Sequence, residues 1–309
     1  MKDIKFMQGD VRDKIKELEN HSIDCVVTSP PYWGLRDYGV KGQLGLEPTY
    51  QEHIKNIVNI FQLLKPKLKD SATIWLNYGD CYATAKNGRD ASNIVGDDRT
   101  FRNKPFTTIQ GQLKNKDLVM MPNRIAIALQ DDGWWIRSEI IWHKPNPMPE
   151  SIKDRPTSAH EKIWLITKSK KYYYDADAIK EPLAVSSIPR LNQDIKNQKG
   201  SARANAGRKT NGNLKAVGNL EKRNKRNVWT ITTKPFKAAH FATFPPDLIE
   251  PCIKAGCPEG GVVLDPFSGA GTTGIVAKKF NRKAILIELN PEYNVIAKER
   301  INQQFGMFV

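Results

Sequence analysis

A glycine-rich stretch near the carboxyl end, Gly269-x-Gly271-x-x-Gly274, limits the possible folds more than any other part of the sequence. The apolar run 261–265 before it is typical of a buried strand, and the stretch after it predicts a helix. A second apolar run, 284–287, ends at Glu288, which follows Gly269 by 19 residues. This order of strand, glycines, helix, strand and acid predicts a nucleoside-cofactor site. The glycines permit close backbone approach, the helix amino terminus offers free N–H groups, and the acid accepts hydrogen bonds from ribose.

NAD is the first candidate for this cofactor, and two features argue against it. Asp265 directly precedes the loop, and we expect its carboxylate to face the cofactor. That charge would repel a pyrophosphate and attract the cationic amino-acid tail of S-adenosylmethionine. Only 35 residues follow Gly274, too few to complete a nucleotide-binding sheet. The remaining strands must therefore come from the amino-terminal half of the chain.

The run 23–27 predicts another buried strand, which ends at Thr28-Ser29-Pro30-Pro31-Tyr32-Trp33. Two prolines cannot continue a ladder, because each lacks an N–H and has a fixed φ. A hydroxyl, a free carbonyl and two aromatic rings are left at the carboxyl end of a strand, where ligands bind in open α/β sheets. By themselves these six residues are equally consistent with a Pro-Pro turn packed on the core. The cofactor loop favours a catalytic site, because this strand must lie beside it.

The remaining pattern predicts an α/β fold with a mostly parallel sheet and helices on both faces, because short apolar strands alternate with amphipathic helices. The polar stretch 83–117 is interpreted as a long loop. Two of the predicted strands, 135–142 and 163–167, could pair as an antiparallel arm. The other predicted elements are strands at 5–7 and 73–76 and helices at 11–18, 47–64, 118–130, 244–253 and after Pro291.

The net charge of +15 indicates a polyanionic partner, and DNA is the commonest one. Residues 186–234 hold twelve Lys and Arg against two acids, so +10 of this charge lies in 49 residues. We interpret this segment as one that becomes ordered on nucleic acid. A disordered linker is the alternative.

Composition also bears on location and metals. No apolar run approaches the ~18–20 residues of a membrane span, and no signal-peptide pattern is found at the amino terminus. Cys25, Cys81, Cys252 and Cys257 are scattered, which favours a reducing cytoplasm over a disulfide framework. Their spacing matches no common zinc motif, so we expect no metal site.

With the Pro-Pro segment in its amino-terminal part and the glycine loop in its carboxyl-terminal part, the chain resembles the amino-directed DNA methyltransferases, in the permuted motif order called the β class. Ser29-Pro30-Pro31-Tyr32 matches the family's catalytic (Asp/Asn/Ser)-Pro-Pro-(Tyr/Phe/Trp), and 265–273 matches its methionine-binding loop. The resemblance implies a Rossmann-like, circularly permuted methyltransferase fold. Its catalytic part would be 1–185, a basic target-recognition insertion 186–235, and the cofactor-binding part of the same domain 236–309.

The resemblance also implies which residues contact the cofactor. Gly9-Asp10 resembles the strand end whose acid meets the adenine, and 240–245 resembles the segment that closes over the methionine moiety. The implied contacts are Asp10, Thr28, Phe241, Pro245, Asp265, Phe267, Ser268, Gly269, Gly271, Thr272, Thr273 and Glu288.

The implied reaction is methyl transfer from S-adenosylmethionine to the exocyclic amine of a base flipped from double-stranded DNA. Ser29 Oγ and the Pro30 carbonyl would accept the two amine hydrogens and aim the lone pair, while Tyr32 would stack on the base. Because Ser-Pro-Pro-Tyr occurs in the family mostly in cytosine-N4 enzymes, we expect cytosine N4, with adenine N6 as the alternative. An RNA methyltransferase and a catalytically inert DNA-binding module are more distant alternatives.

We expect a cognate restriction endonuclease as a functional rather than physical partner, and we also consider a homodimer. A packed loop is the alternative for 33–38, and His160-Glu161 is interpreted as structural. DNA contacts are expected near the tetrapeptide, at the end of the strand 135–142 and in the basic segment, from Trp33, Arg36, Lys144, Arg203, Arg208, Lys209, Arg223 and Arg226.

Overall fold

The computed structural model describes residues 3–85, 106–187, 189, 222–233 and 244–306. The chain divides into two compact units, one formed by Met1–Tyr174 and Asn227–Val309 and the other by Asp175–Arg226. Among the described residues, the first unit is built on a mixed sheet in the order β1-β10-β9-β2-β3-β5-β4-β8. The strands are β1 (Ile4–Gln8), β2 (Ile23–Thr28), β3 (Leu68–Tyr78), β4 (Trp135–His143), β5 (His160–Thr167), β6 (Glu181–Pro182), β7 (Lys222–Arg223), β8 (Val228–Thr230), β9 (Val262–Asp265) and β10 (Lys283–Glu288).

Five neighbouring strands, from β1 to β3 in the sheet order, run parallel. At their centre β2 pairs with β9, and Val26 lies opposite Leu264. Strands from the two ends of the sequence thus complete one sheet, which confirms the prediction. Because these strands are parallel, their carboxyl ends meet at one edge, where the glycine loop and the Pro-Pro segment both begin.

Helices cover both faces of the sheet, as predicted. The side chains of β3 show the two sides: Ile74 packs into the core with the first three helices, while Thr73 Oγ1 donates to the Gly256 carbonyl at the end of the fourth (3.0 Å). The α-helices of the described residues are α1 (Val11–Lys14), α2 (Tyr50–Leu64), α3 (Met121–Asp131), α4 (Pro246–Gly256), α5 (Thr272–Lys279) and α6 (Pro291–Phe305).

Local sequence explains where several helices begin. Thr49 Oγ1 accepts a hydrogen bond from the Glu52 N–H (3.2 Å) and caps α2. Asn290 Oδ1 accepts from the Glu292 N–H (2.9 Å), and Pro291 follows it at the first position of α6, where a missing N–H costs nothing.

The predicted antiparallel arm is confirmed. β5 pairs antiparallel with both β3 and β4, and β8 adds to β4 in parallel. Because β5 runs against β3, Lys162 lies opposite Tyr78, and the preceding residue Glu161 is brought to the carboxyl end of β3. The arm therefore contributes side chains to the edge of the sheet where the parallel strands end.

In the second unit, β6 and β7 pair antiparallel, and Glu181 on β6 accepts hydrogen bonds from Arg223 Nε (2.9 Å) and Arg226 Nη1 (3.1 Å). Three predicted DNA contacts, Arg203, Arg208 and Lys209, lie outside the described residues. No helix in the described part of the chain is long and apolar enough to cross a membrane.

Candidate active site

A cavity of about 1190 Å³ opens at the carboxyl edge of the parallel strands. Its walls include Gly269 and Glu288, from the glycine loop and β10, and Ser29 and Tyr32, from the segment after β2. Two motifs that lie far apart in the sequence therefore face the same space.

The loop between β9 and α5 depends on glycine at two positions. Gly269 (φ 48°) and Gly271 (φ 77°) both have left-handed backbone conformations. A Cβ at position 271 would lie 2.8 Å from the Cβ of Ala297, so α6 packs directly on the loop. A Cβ at position 269 would meet no atom within 4 Å, so the backbone there borders open space in the cavity wall.

Glu288 holds this loop in place from β10. Its Oε2 accepts from the Gly269 N–H (2.8 Å), and its Oε1 accepts from the Asn290 N–H (2.8 Å). The Gly9 N–H after β1 donates to the Glu288 backbone carbonyl (2.9 Å). Burial raises the pKa of the Glu288 carboxyl, and the N–H donors offset this only in part.

The cavity wall also contains an unsatisfied hydroxyl. Ser268 Oγ is buried, and no hydrogen-bond partner for it is found among the described residues. Leaving such a group unpaired is costly, so the site is suited to a ligand with a polar group at this point. Phe267 and Pro266 add apolar surface beside it. An apolar wall with a carboxylate and a free hydroxyl fits a nucleoside that carries a polar tail.

Asp265 does not face the cavity, and the prediction about its orientation is wrong. Its side chain is buried, and Oδ1 accepts from Thr28 Oγ1 (2.8 Å) and the Phe267 N–H (3.1 Å). Oδ2 accepts from Thr273 Oγ1 (2.6 Å). These bonds satisfy the carboxylate inside the protein, so it connects the two strand ends rather than meeting the cofactor tail. Burial raises the pKa of Asp265 to about 6.

Asp10, after β1, lies in the cavity wall and is already paired. Its Oδ1 accepts from the Arg12 backbone N–H (2.8 Å) and from Arg12 Nε (2.8 Å), and Oδ2 contacts Arg12 Nη2. The Arg12 guanidinium holds the pKa of the Asp10 carboxyl below its usual value. A ligand at this end of the cavity would meet an ion pair rather than an isolated carboxylate.

Two hydroxyl groups and one carboxylate form a hydrogen-bonded chain in the cavity wall. Ser29 Oγ lies 3.2 Å from Tyr32 Oη, which lies 2.9 Å from Glu161 Oε2. Glu161 in turn forms an ion pair with Lys144 and accepts from Asn77 Nδ2 (3.1 Å). All five side chains line the cavity.

Sequence reasoning missed part of this chain. The sequence favours a structural role for Glu161 and a DNA contact for Lys144, whereas the structure pairs the two in the cavity wall. The sequence motifs do not predict Asn77. Its position near the end of a buried strand adjacent to β2 is the signal that could have identified it.

Trp33 belongs to the core, so the prediction that it contacts DNA is wrong. Only 1% of it is exposed, and its ring packs beside Tyr50 and Phe106. Its backbone N–H donates to Tyr78 Oη (2.9 Å), and its indole N–H donates to the Glu47 carbonyl (2.9 Å).

A buried polar network supports this position. Tyr78 Oη contacts His53 Nε2 (2.9 Å), and His53 Nδ1 lies 2.8 Å from Glu47 Oε2. Burial would raise the pKa of Glu47, but the hydrogen bond and charge of His53 hold it below its usual value.

The structure thus sorts the predicted site residues into groups. Four of them are buried behind the residues that line the cavity: Thr28, Asp265, Gly271 and Thr273. Pro245 is buried at the start of α4, and Phe241 lies outside the described residues. Arg223 and Arg226 belong to the second unit. The predicted residues that line the cavity are Asp10, Ser29, Pro30, Pro31, Tyr32, Arg36, Lys144, Phe267, Ser268, Gly269, Thr272 and Glu288.

The fold is that of solved methyltransferases. PvuII DNA methyltransferase (cytosine-N4-specific) matches with a TM-score of 0.63 at 18% identity, covering 98% of this chain and 92% of that one. The putative DNA modification methylase TTHA0409 of Thermus thermophilus, complexed with S-adenosyl-L-methionine, matches with a TM-score of 0.59 at 22% identity, covering 98% and 97%. At these identities the likeness is one of fold, and it confirms the predicted fold class.

Sequence comparison gives the family. A family model described as DNA methylase, of the N6 and N4 type, matches residues 23–299. The type II methyltransferase M.XycI of Xanthomonas campestris pv. cyanopsidis is 44% identical over 299 residues, which cover 97% of this chain and 88% of that protein. The type II methyltransferase M.SmaI of Serratia marcescens is 43% identical over 301 residues, covering 97% and 91%. This chain belongs to the N6/N4 DNA methylase family, as the sequence motifs predicted.

Proposed function

We propose that this protein is a site-specific methyltransferase that moves a methyl group from S-adenosylmethionine to N4 of a cytosine flipped out of double-stranded DNA. One observation carries the proposal: Ser29 and Pro30 share a single cavity with Gly269 and Glu288. Groups that can hold an exocyclic amine lie in the same space as groups that can hold a nucleoside cofactor.

S-adenosylmethionine is the cofactor of this family, and when bound it supplies an electrophilic methyl group. In this chain, Glu288 would accept hydrogen bonds from the ribose hydroxyls, and the unsatisfied Ser268 Oγ would meet the polar methionine part. The Asp10–Arg12 pair would lie at the adenine. Asp265 would act indirectly, by fixing the loop that carries Ser268.

The exocyclic amine of a base is a poor nucleophile, because its lone pair is delocalised into the ring. Ser29 Oγ and the Pro30 carbonyl would accept its two hydrogens and draw the nitrogen toward a pyramidal geometry, with the lone pair aimed at the methyl group. Orientation supplies most of the acceleration in such a site. The ring of Tyr32, supported by Tyr78 at a centroid distance of 4.5 Å, offers a flat surface for the flipped base.

Cytosine is favoured over adenine by the serine at position 29. A hydroxyl there matches the tetrapeptide that the family uses mostly for cytosine N4. The solved structure named as cytosine-N4-specific has the same fold, which is compatible with this choice. Adenine N6 is the alternative, since an adenine amine has the same two hydrogens for Ser29 and Pro30 to accept.

Two other classes of function are less well supported. An RNA substrate is disfavoured because the matching family model is described as DNA methylase. A catalytically inert DNA-binding module is disfavoured because the tetrapeptide is intact and its side chains line the cavity with the glycine loop.

Further parts of the proposal concern partners and organisation. We propose that Arg36 in the cavity wall, together with Arg203, Arg208, Lys209, Arg223 and Arg226, contacts DNA, and that 186–235 recognises the target sequence. A cognate restriction endonuclease as functional partner, a homodimer and a cytoplasmic location remain predictions. Type II methyltransferases among the relatives support the first of these.

Labelled S-adenosylmethionine offers a direct test. The purified protein is incubated with unmethylated genomic DNA, RNA and protein, and modified bases are mapped by sequencing that separates N4-methylcytosine from N6-methyladenine. We expect label in DNA only, as N4-methylcytosine at one short sequence. Methyladenine would select the alternative base, and label confined to RNA or protein would overturn the proposal.

A serine variant tests the proposed hydrogen bond between Ser29 and the substrate amine. Ser29→Ala should lower the single-turnover rate by about 10- to 100-fold, the effect of losing one aligned hydrogen bond in a transition state, while S-adenosylmethionine still binds. Ser71→Ala, which truncates an exposed serine on β3, is the matched control and should leave the rate unchanged.

A further inference from the structure

We infer that Glu161 is a positioning residue that acts through Tyr32. By accepting the Tyr32 proton, Glu161 makes Ser29 an acceptor for the substrate amine and gives the amine proton a path out of the site. The inference rests on the proposed role of Ser29. It holds equally for cytosine and adenine, since both present an exocyclic amine.

The direction of the hydrogen bonds follows from counting protons. Tyr32 has one hydroxyl proton and two acceptors near it, Glu161 Oε2 at 2.9 Å and Asn77 Oδ1 at 3.3 Å. The charged and closer oxygen forms the stronger bond, so the proton lies toward Glu161. In the 3.2 Å contact between Ser29 and Tyr32, the proton must then come from Ser29.

The protonation state of Tyr32 supports this direction. Burial and the neighbouring carboxylate of Glu161 raise the pKa of the Tyr32 phenol well above its ordinary value. The phenol therefore keeps its proton at neutral pH and remains a donor to Glu161.

Glu161 is held firmly for this task. Lys144 pairs with Oε1, and Asn77 Nδ2 donates both to Oε2 (3.1 Å) and to the Lys162 carbonyl (3.2 Å). Gly79 lies behind the pair: a Cβ there would approach Tyr32 Cε2 to 2.7 Å and Glu161 Cδ to 3.3 Å. The carboxylate and the phenol are thus packed against backbone, in a position where their contact cannot easily be lost.

This arrangement gives Ser29 a defined role. Its single proton is committed to Tyr32, so its lone pairs remain for the hydrogens of the amine. If Tyr32 instead donated to Ser29, the serine proton would be free to point at the amine, which needs acceptors and not donors. The Glu161 carboxylate decides between these two states.

The same chain can remove a proton after methyl transfer. The methylated amine carries a positive charge until one N–H bond breaks and its proton passes to Ser29 Oγ. The former Ser29 proton moves to Tyr32 Oη, and the former Tyr32 proton forms an O–H bond on Glu161. Both hydroxyls end with one proton each, the base ends neutral, and Glu161 ends as a neutral carboxylic acid.

The test uses Glu161→Gln, Tyr32→Phe and the double variant in the full-length protein. Single-turnover methyl transfer to DNA and the affinities for S-adenosylmethionine and DNA are measured for each. Glu139→Gln is the matched control, because it removes a carboxylate that pairs with Lys162 on the same β4–β5 arm, away from the cavity.

Each single variant should lose at least about tenfold in rate with cofactor affinity within about twofold of wild type. The double variant should be no slower than the slower single variant, because both changes break the same chain. Glu139→Gln should react at the wild-type rate.

Losses that multiply in the double variant, or Glu161→Gln at the wild-type rate, would overturn the inference. Tyr32→Phe keeps the aromatic ring and the Glu161–Lys144 pair, so wild-type activity in this variant would overturn it even if Glu161→Gln failed to fold. If the wild-type protein failed to methylate DNA, the proposed function would be overturned first, which keeps the two failures distinct.

Discussion

Thr28 at the end of β2 donates a 2.8 Å hydrogen bond to Asp265 at the end of β9, although 237 residues separate them in the sequence. The bond connects the strand that carries the Pro-Pro segment to the strand that carries the glycine loop. Because Asp265 also accepts from Thr273 and from the Phe267 N–H, one buried carboxyl group sets the relative position of both motifs.

The pH dependence of stability should report on Asp265. Burial raises its pKa to about 6, above its ordinary value of 3.8, so the folded protein binds this proton more tightly than the unfolded chain. The contribution of Asp265 to the free energy of unfolding should then fall as pH rises, by about 1 kcal/mol between pH 5 and pH 7.5.

Asp265→Asn provides the comparison, because an amide does not titrate in this range. Its oxygen can still accept from Thr28, and its NH₂ can donate to Thr273. Urea unfolding of both proteins at pH 5 and pH 7.5 should show a difference that moves in favour of the variant at the higher pH. Parallel pH profiles would show that the carboxyl group is not destabilised by burial.

Glycine at 271 should be needed for packing as well as for backbone conformation. Gly271→Ala has to place a Cβ 2.8 Å from Ala297 at a φ of 77°, whereas Gly260→Ala has a similar φ of 73° and no atom within 4 Å. Both variants should lose about 1 kcal/mol of unfolding free energy from the backbone, and Gly271→Ala about 1–3 kcal/mol more.

Urea unfolding measures the loss of stability, and calorimetry measures the affinity for S-adenosylmethionine. Gly271→Ala should also bind the cofactor more weakly, because the loop must move away from α6. Equal stability losses in the two variants would mean that α6 can shift away from the added Cβ without lowering the free energy of unfolding.

Most of the fold could be predicted from periodicity. Apolar runs of strand length alternate with helical patterns, and the amino-terminal strands β1, β2 and β3 lie in one sheet with β9 and β10, as predicted. No local signal within β2 or β9 specifies that the two strands pair.

Side-chain orientation at the site could not be predicted in the same way. Asp265 and Glu288 both end strands, yet one is buried beneath the loop and the other lines the cavity. Glu161 comes from an antiparallel arm whose register is set by pairing with β3, which no pattern within β5 specifies. Trp33 directly follows Ser29-Pro30-Pro31-Tyr32 but packs inward, and Tyr78 binds its backbone N–H.

Tyr78 should stabilise the Pro-Pro segment through its hydroxyl. Tyr78→Phe keeps the ring that contacts Tyr32 but leaves the Trp33 N–H and His53 Nε2 without their partner. Two buried polar groups are then unsatisfied, so we expect a loss of about 1–3 kcal/mol in the free energy of unfolding.

Denaturant unfolding measures this loss, with Tyr50→Phe as control. The Tyr50 ring contacts Trp33 and Arg124, and these contacts survive the change. An equally small effect of both variants would show that the Tyr78 hydroxyl is dispensable.

Glu288 should determine the affinity for the nucleoside part of the cofactor. Glu288→Gln removes the charge, and since an amide has one oxygen, either the Gly269 N–H or the Asn290 N–H must face an NH₂ group. The affinity for S-adenosylmethionine should fall by about 10- to 100-fold, the effect of weakening one or two hydrogen bonds to a charged acceptor.

Calorimetry with adenosine separates the ribose from the methionine part. If Glu288 binds the ribose, adenosine should lose the same factor as the full cofactor, while Glu292→Gln, at an exposed position on α6, should change neither. A loss for S-adenosylmethionine without a loss for adenosine would place Glu288 at the methionine end instead.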